Sequence, residues 1–405
     1  MSTETTTTET ETVIGELKTT GDDSALKTDS EAVQVHYAAP SPLMKLLGDS
    51  LGLREPSDVK TLVAVGLCVA ANFAIWTTTT YVSWPIKVLL WLALVQLTAT
   101  VSTIVHNTIH VNIFHEPFNN RIFHIVLSIC FGHPVCTFVS AHNLSHHRYT
   151  QMQQDFMRTT QMRYEHHLFN YLYFFSTVGH LIAASDMRYM RLMRRQKRRI
   201  WTDFALQLSA VIIMHVTCAL INPLKWILFW NLPRMAASVF ITNMNMLQHD
   251  GCARPVILEM GNPLNRTDGK GGLAPVHLMN INTSRNFTGW ITNTLFFNNG
   301  FHGIHHIKPT LHWSKLPEAH AALVKPHIHP NLDQDNMALY FYRTFVLNNR
   351  VTYDGKPYNP DVDEISPEPE NVDWFKYPEE HKWIAEEGPY WVIMDILDDA
   401  RKLLF

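Results

Sequence analysis

Between Lys60 and Lys87 the chain carries no charged side chain for 26 consecutive positions. A second uncharged run, Val88–Val105, follows the Trp84–Pro85 break. Crossing a bilayer core takes about 20 apolar residues of helix, whose backbone groups must bond to one another. These runs predict two membrane-spanning helices, near residues 61–82 and 86–105, joined by a short external turn. Phe204–Leu224 is uncharged for 21 positions and predicts a third span near 204–222. A fourth is expected near 224–243, although it carries Lys225 and Arg234. Lys225 can snorkel to the interface. Arg234 lies deeper and must face protein or water. Buried hairpins of a soluble protein would need only shorter runs.

Charge sets the orientation. Asp186–Ile200 holds seven Arg and Lys residues just before the third span. The positive-inside rule places them in the cytoplasm. Four spans in two hairpins then leave both termini, the segment 106–200 and everything after 244 on that side. Trp84, Trp201 and Trp226 lie near span ends, where interfacial aromatics belong. Phe114–Ser140 and Phe169–Ser185 are apolar but interrupted by His, Asn and Gly. They are expected to lie on the membrane face or to cap a site.

The expected architecture is thus an all-α integral membrane protein, with four transmembrane helices in two hairpins and a cytoplasmic helical cap. Residues 1–40, rich in Thr, Glu, Ser and Asp, are expected as a disordered tail and lack the pattern of a secretory signal. Residues 41–330 form the membrane domain, and 331–405 an acidic cytoplasmic tail. Within that tail, 351–405 carries 14 acidic against five basic residues and is expected to end in an amphipathic helix near Val392–Leu404. A net charge of −3 gives no basic field for nucleic acid. Five scattered Cys form no CxxC pair, which suits a reducing compartment.

The chain has 23 His, and nine of them fall in four groups at the cytoplasmic ends of the expected spans. The groups are His106 and His110; His142, His146 and His147; Asn245 and His249; and His302, His305 and His306. Spacing of four residues puts two side chains on one helix face. Neutral imidazole binds iron, zinc, copper and nickel. Nine imidazoles exceed one tetrahedral zinc site and suit two metal ions with four or five each. No Cys lies in any group, which argues against iron–sulfur clusters. No Glu follows the first His, as the metalloprotease pattern requires.

The order HX3H, HX3HH, NX3H, HX2HH, interleaved with two apolar hairpins, resembles the membrane fatty acid desaturase/hydroxylase superfamily. The resemblance spans residues 60–320 and includes HNLSHHRYTQMQQD and FFNNGFHGIHHIKPTLHWSKLP. Box two is HX3HH where many members have HX2HH. The resemblance implies a cap carrying a di-iron centre, use of O2, a lipid or fatty acyl substrate, and an external electron donor of cytochrome b5 or ferredoxin type. It implies His106, His110, His142, His146, His147, His249, His302, His305 and His306 as ligands to two iron ions. Asn245 is expected to hold a metal-bound water. His115, Asn107, Asn143 and Asp155 are candidates for the outer shell that orients the imidazoles. His124, His133, His166, His167, His180, His277, His312, His320, His327 and His329 are expected to be structural or at the surface, and Trp313 to line the site.

The expected reaction is introduction of a C=C bond into an acyl chain. Hydroxylation, terminal alkene formation by decarboxylation and acetylenic bond formation share that chemistry and stay open. The membrane would be the endoplasmic reticulum in a eukaryote and the inner membrane in a bacterium. A metal transporter would place ligands within the spans, and a membrane cytochrome would pair His on facing spans. Nine His beyond span ends fit neither.

Overall fold

The computed structural model describes residues 8–16, 31–78, 80–152, 155–162, 168–253 and 281–357. His166, His167, His277 and Val392–Leu404 lie outside these residues. Strands β1 (Thr8–Glu16) and β2 (Glu31–Ala38) pair antiparallel and precede α1 (Pro42–Leu51). Helices α2 (Val59–Thr78) and α3 (Trp84–Thr108) form the first hairpin. Then come α4 (Pro117–Phe131), a π-helical segment Val139–His146, one turn α5 (His147–Tyr149) and the long α6 (Leu168–Arg195). The second hairpin is α7 (Arg199–Ile221), followed by α8 (Pro223–Lys225), a π-helical turn Trp226–Asn231 and α9 (Leu232–His249). Short helices α10 (Trp290–Leu295), α11 (His302–Ile307), α12 (Leu316–Leu323) and α13 (Met337–Phe341) complete the fold. Strand β3 (Asn286–Phe287) pairs parallel with β4 (Asp333–Gln334).

Among the described residues, three single helices are long and apolar enough to cross a membrane: Pro56–Thr78, Trp84–Thr108 and Arg199–Ile221. Their outer faces carry large apolar groups such as Phe73 (72% exposed) and Leu220 (81%), which lipid would cover. The expected fourth span is helical from Pro223 to His249 but fails that test. The π-helical turn interrupts it, and Arg234, Ser238, Thr242 and Asn243 dilute its apolar character. Arg234 does face protein. It stacks over Trp230 at 3.5 Å and donates to the carbonyls of Ile129 and Trp230 and to Asn72 Oδ1. The one bent pair that passes instead is Pro117–Phe131 with Val135–Tyr149, turned by 93°. From sequence, Phe114–Ser140 is expected to lie on the membrane face or to cap a site. The bend falls at Gly132, whose φ of +91° L side chains rarely adopt.

Ordered elements also lie at both edges of the expected membrane domain. The N-terminal segment expected as a disordered tail holds paired strands, and Val35 and Tyr37 are buried against α11 and α12. Val35 and Tyr37 face inward while His36 and Ala38 stay exposed, a pattern too short to stand out beside the polar repeat before it. The body also continues past residue 330. Tyr340 and Phe345 pack with Phe174 of α6 and Met246 of α9, and Arg350 pairs with Asp250.

α3 packs lengthwise against α9. Both end at the same place, at His106 and His249. Helix C-termini carry partial negative charge, which favours a cation there.

Candidate metal centre

All nine box histidines converge in two clusters whose nitrogens lie within 4.8 Å of one another. The first holds His106, His110, His142, His147 and His305. The second holds His146, His249, His302 and His306. Local helix geometry makes this division. In α11, His306 lies one turn from His302 and joins its cluster, while His305 points to the other. In the second box the segment is π-helical, closing i to i+5. That winding lets His146 and His147 flank the direction of His142, so one imidazole reaches each side. His147 stacks on His306 across the divide, with ring centroids 4.4 Å apart.

Neighbouring groups aim the rings. Asp155 Oδ2 lies 2.9 Å from His146 Nδ1. The same carboxylate accepts from the backbone N–H of Gln151 and of Met157, at 2.8 Å each. Burial opposes its ionisation, but His146 and these hydrogen bonds hold it below the usual carboxylate range. The Thr283 carbonyl lies 2.8 Å from His249 Nδ1, Asn107 Oδ1 lies 3.1 Å from His106 Nδ1, and Thr150 Oγ1 lies 3.3 Å from His306 Nδ1. Each of these bonds leaves Nε2 facing inward.

The donor set fits metal ions. His146 Nε2 and His110 Nε2 are buried with no protein partner among the described residues. His147 Nε2 stands 2.9 Å from His142 Nε2 and 3.0 Å from His305 Nε2. His302 Nε2 stands 2.9 Å from His249 Nε2 and 3.0 Å from His306 Nε2. Neutral imidazole carries one proton, so inward lone pairs at this spacing repel unless a cation sits between them. Two nitrogens at right angles about an ion, with bonds of about 2.1 Å, stand about 3.0 Å apart. Tetrahedral angles would separate them further.

Burial first, and then neighbouring imidazoles, pushes His142, His147, His302, His305 and His306 well below the usual range. The same causes bring His110 to about 2. Burial and His146 bring His249 to about 3 against the Thr283 carbonyl bond. These seven rings are therefore neutral, the form in which imidazole binds a metal.

Of the four outer-shell candidates, Asp155 and Asn107 touch ligand rings. Asn143 instead donates to the Ile109 carbonyl and ties the π-helical segment to the end of α3. His115 is exposed and belongs to neither cluster, because α3 ends at Thr108 and the chain turns away. Asn245 donates to the Met157 carbonyl, and its Oδ1 is buried with no partner among the described residues. His312 and Trp313 both donate to the buried Asp58, and His320 pairs with Asp333; Trp313 also lines a small cavity with His110 and His305.

Sequence reasoning missed Thr283 and Thr150, which act on the ligand rings, and the anchor behind Thr283. There Arg285, fully buried, donates to the carbonyls of Asp250 and Leu247 and stacks over Tyr340. A buried arginine two residues from a backbone acceptor leaves no mark in a motif.

A cavity of about 220 Å³ opens onto both clusters, reaching His106 and His142 of the first and His302 of the second. Asn245 lies on its wall, with Phe131, Phe138, Phe175 and Ile241 making most of it apolar.

A membrane-length helix, α3, carries His106 into two all-histidine clusters, an arrangement of the histidine-box membrane type. The fatty acid desaturase family profile matches residues 82–334, and the chain belongs to that family. A search of curated proteins returned no match.

Proposed function

We propose that the chain is an O2-dependent fatty acyl desaturase that introduces a C=C bond, with two iron ions held by five and four imidazoles. The observation that carries this reading is nine converging imidazoles, with inward nitrogens, at the end of an apolar cavity. Iron held there supplies, with O2, the oxidising power that an unactivated C–H bond demands. The residues of the chain do the rest. Asp155, Asn107, Thr283 and Thr150 fix ring tautomers. The apolar wall excludes water and presents the acyl chain. Asn245, on the cavity wall, would accept through Oδ1 from a water at the centre.

Electrons come from an external carrier of cytochrome b5 or ferredoxin type. The site faces the cytoplasm, with both termini on that side. Membranes incubated with labelled acyl substrates, O2 and a reducing system test the reading by mass spectrometry of the products. An unsaturated product without incorporated ¹⁸O is expected. A hydroxylated, acetylenic or chain-shortened product assigns a different outcome to the same chemistry, and a preparation fully active with zinc refutes the iron assignment.

A further inference from the structure

Five residues of α6 line the cavity: Phe175, Gly179, Ile182, Ala183 and Asp186. Their spacing of four, three, one and three makes one helical stripe. Four of them suit an alkyl chain. Asp186 does not, yet it is only 6% exposed. One carboxylate oxygen, Oδ1, accepts from Ser140 Oγ. Oδ2 has no partner among the described residues. No Arg or Lys lines the cavity to pair with it.

We propose that Asp186 is the specificity-determining residue of this cavity, and that the substrate carries an uncharged oxygen function, a hydroxyl or carbonyl, on an otherwise apolar skeleton. The identification of the cavity as a substrate site rests on the function proposed above. Burial pushes the Asp186 carboxyl up to about 8, with the Ser140 bond opposing. Burial thus favours the neutral acid, which can donate a hydrogen bond to an oxygen acceptor and accept one from a hydroxyl. A plain alkyl chain seated beside it leaves that donor unpaired. A substrate carboxylate offers an acceptor but brings uncompensated charge. Placement sharpens the inference. Asp186 lines the same cavity as His106, His142 and His302, so the oxygen function shares that cavity with the carbon presented to the histidines.

Asp186 could instead serve only to pin the π-helical segment through Ser140, and the experiment separates the two roles. Full-length protein in lipid nanodiscs is photolabelled with diazirine-bearing dodecanol, dodecane and dodecylammonium at matched bilayer concentrations. Labelling of the α6 stripe is read by peptide mass spectrometry. The wild-type protein is expected to saturate with the dodecanol probe at about a tenfold lower concentration than with the dodecane probe. Asp186→Leu should bring that ratio close to one. Asp186→Asn, which keeps a donor and the size of the side chain, should retain the preference. Equal labelling by the two probes in wild type overturns the proposal, even if the leucine variant fails to insert. So does a preference for dodecylammonium, or a hydroxyl preference that survives in Asp186→Leu. Product formation is measured on the same preparation. No hydroxyl preference in an active desaturase refutes this inference alone, whereas a hydroxyl preference in a protein without oxidase activity upholds it and refutes the functional reading.

Discussion

Asp155 accepts three hydrogen bonds at full burial, from His146 Nδ1 and from the backbone N–H groups of Gln151 and Met157. Asp155→Ala removes both acceptor oxygens and with them all three bonds. Each stranded backbone donor costs about 1–3 kcal/mol unless water enters, so the fold should lose about 2–6 kcal/mol. His146 also loses the partner that fixes its proton on Nδ1. Loss of such a partner typically weakens metal binding about 10- to 100-fold. Asp155→Asn is milder. Its amide oxygen can take the Oδ2 position and keep His146 and Gln151, stranding Met157 alone at about 1–3 kcal/mol. The expected order of chelator resistance is wild type, then Asn, then Ala. Because His146 belongs to the second cluster, the alanine variant should fall from about two metal ions per chain toward one. Elemental analysis after dialysis against increasing chelator, with thermal unfolding alongside, reads both effects. An alanine variant holding two ions with wild-type resistance, or an asparagine variant weaker than alanine, refutes the reasoning.

Four further outcomes are expected. His249→Ala should lose metal and turnover together, whereas Asn245→Ala should keep most of its iron and lose much of its rate, as elemental analysis and product assays will show. Gly300→Ala places a Cβ against the Phe287 carbonyl and the Asn293 side chain, two residues before His302; about 1–3 kcal/mol of destabilisation, read by thermal unfolding, is expected. Metal-free protein should lose stability on acidification. His110 and His249 titrate near 2 and 3 when folded, far below about 6.5 in the unfolded chain, so the unfolded state takes up protons first. Their contribution is full above about pH 6.5 and declines as pH falls toward 3, which acid titration followed by circular dichroism can test. Tags on both termini should be cut by protease from the cytosolic side only; opposite-side cleavage means an odd number of spans.

The nine histidines were legible because ligand spacing is a local property. His106 and His110 share a helix face wherever that helix goes. Their division between two clusters was not legible, because it depends on the segment Val139–His146 winding as a π-helix, which no residue type there announces. Asp155 could be singled out by its nearness to box two. The carbonyl of Thr283 could not, since a backbone acceptor has no residue signature and Arg285 positions it from behind. Uncharged runs located three membrane-length helices. The fourth expected span rested on a stretch whose buried Arg234 finds its partners only in the tertiary fold, at Ile129 and Asn72.

The two boxes with doubled histidines differ by one residue yet present their rings alike. His302, His305 and His306 do so on an α-helix, and His142, His146 and His147 on the wider π-helical winding. A residue inserted into an α-helix is commonly absorbed as a π-turn. The longer box is therefore geometrically an α-helical box that has taken in an extra residue, with the surplus stored in the backbone and not in the metal geometry. Two intervals that differ by one position thus divide their rings between the clusters in the same way. Counting that interval in other chains consequently says little about how their ligands are arranged.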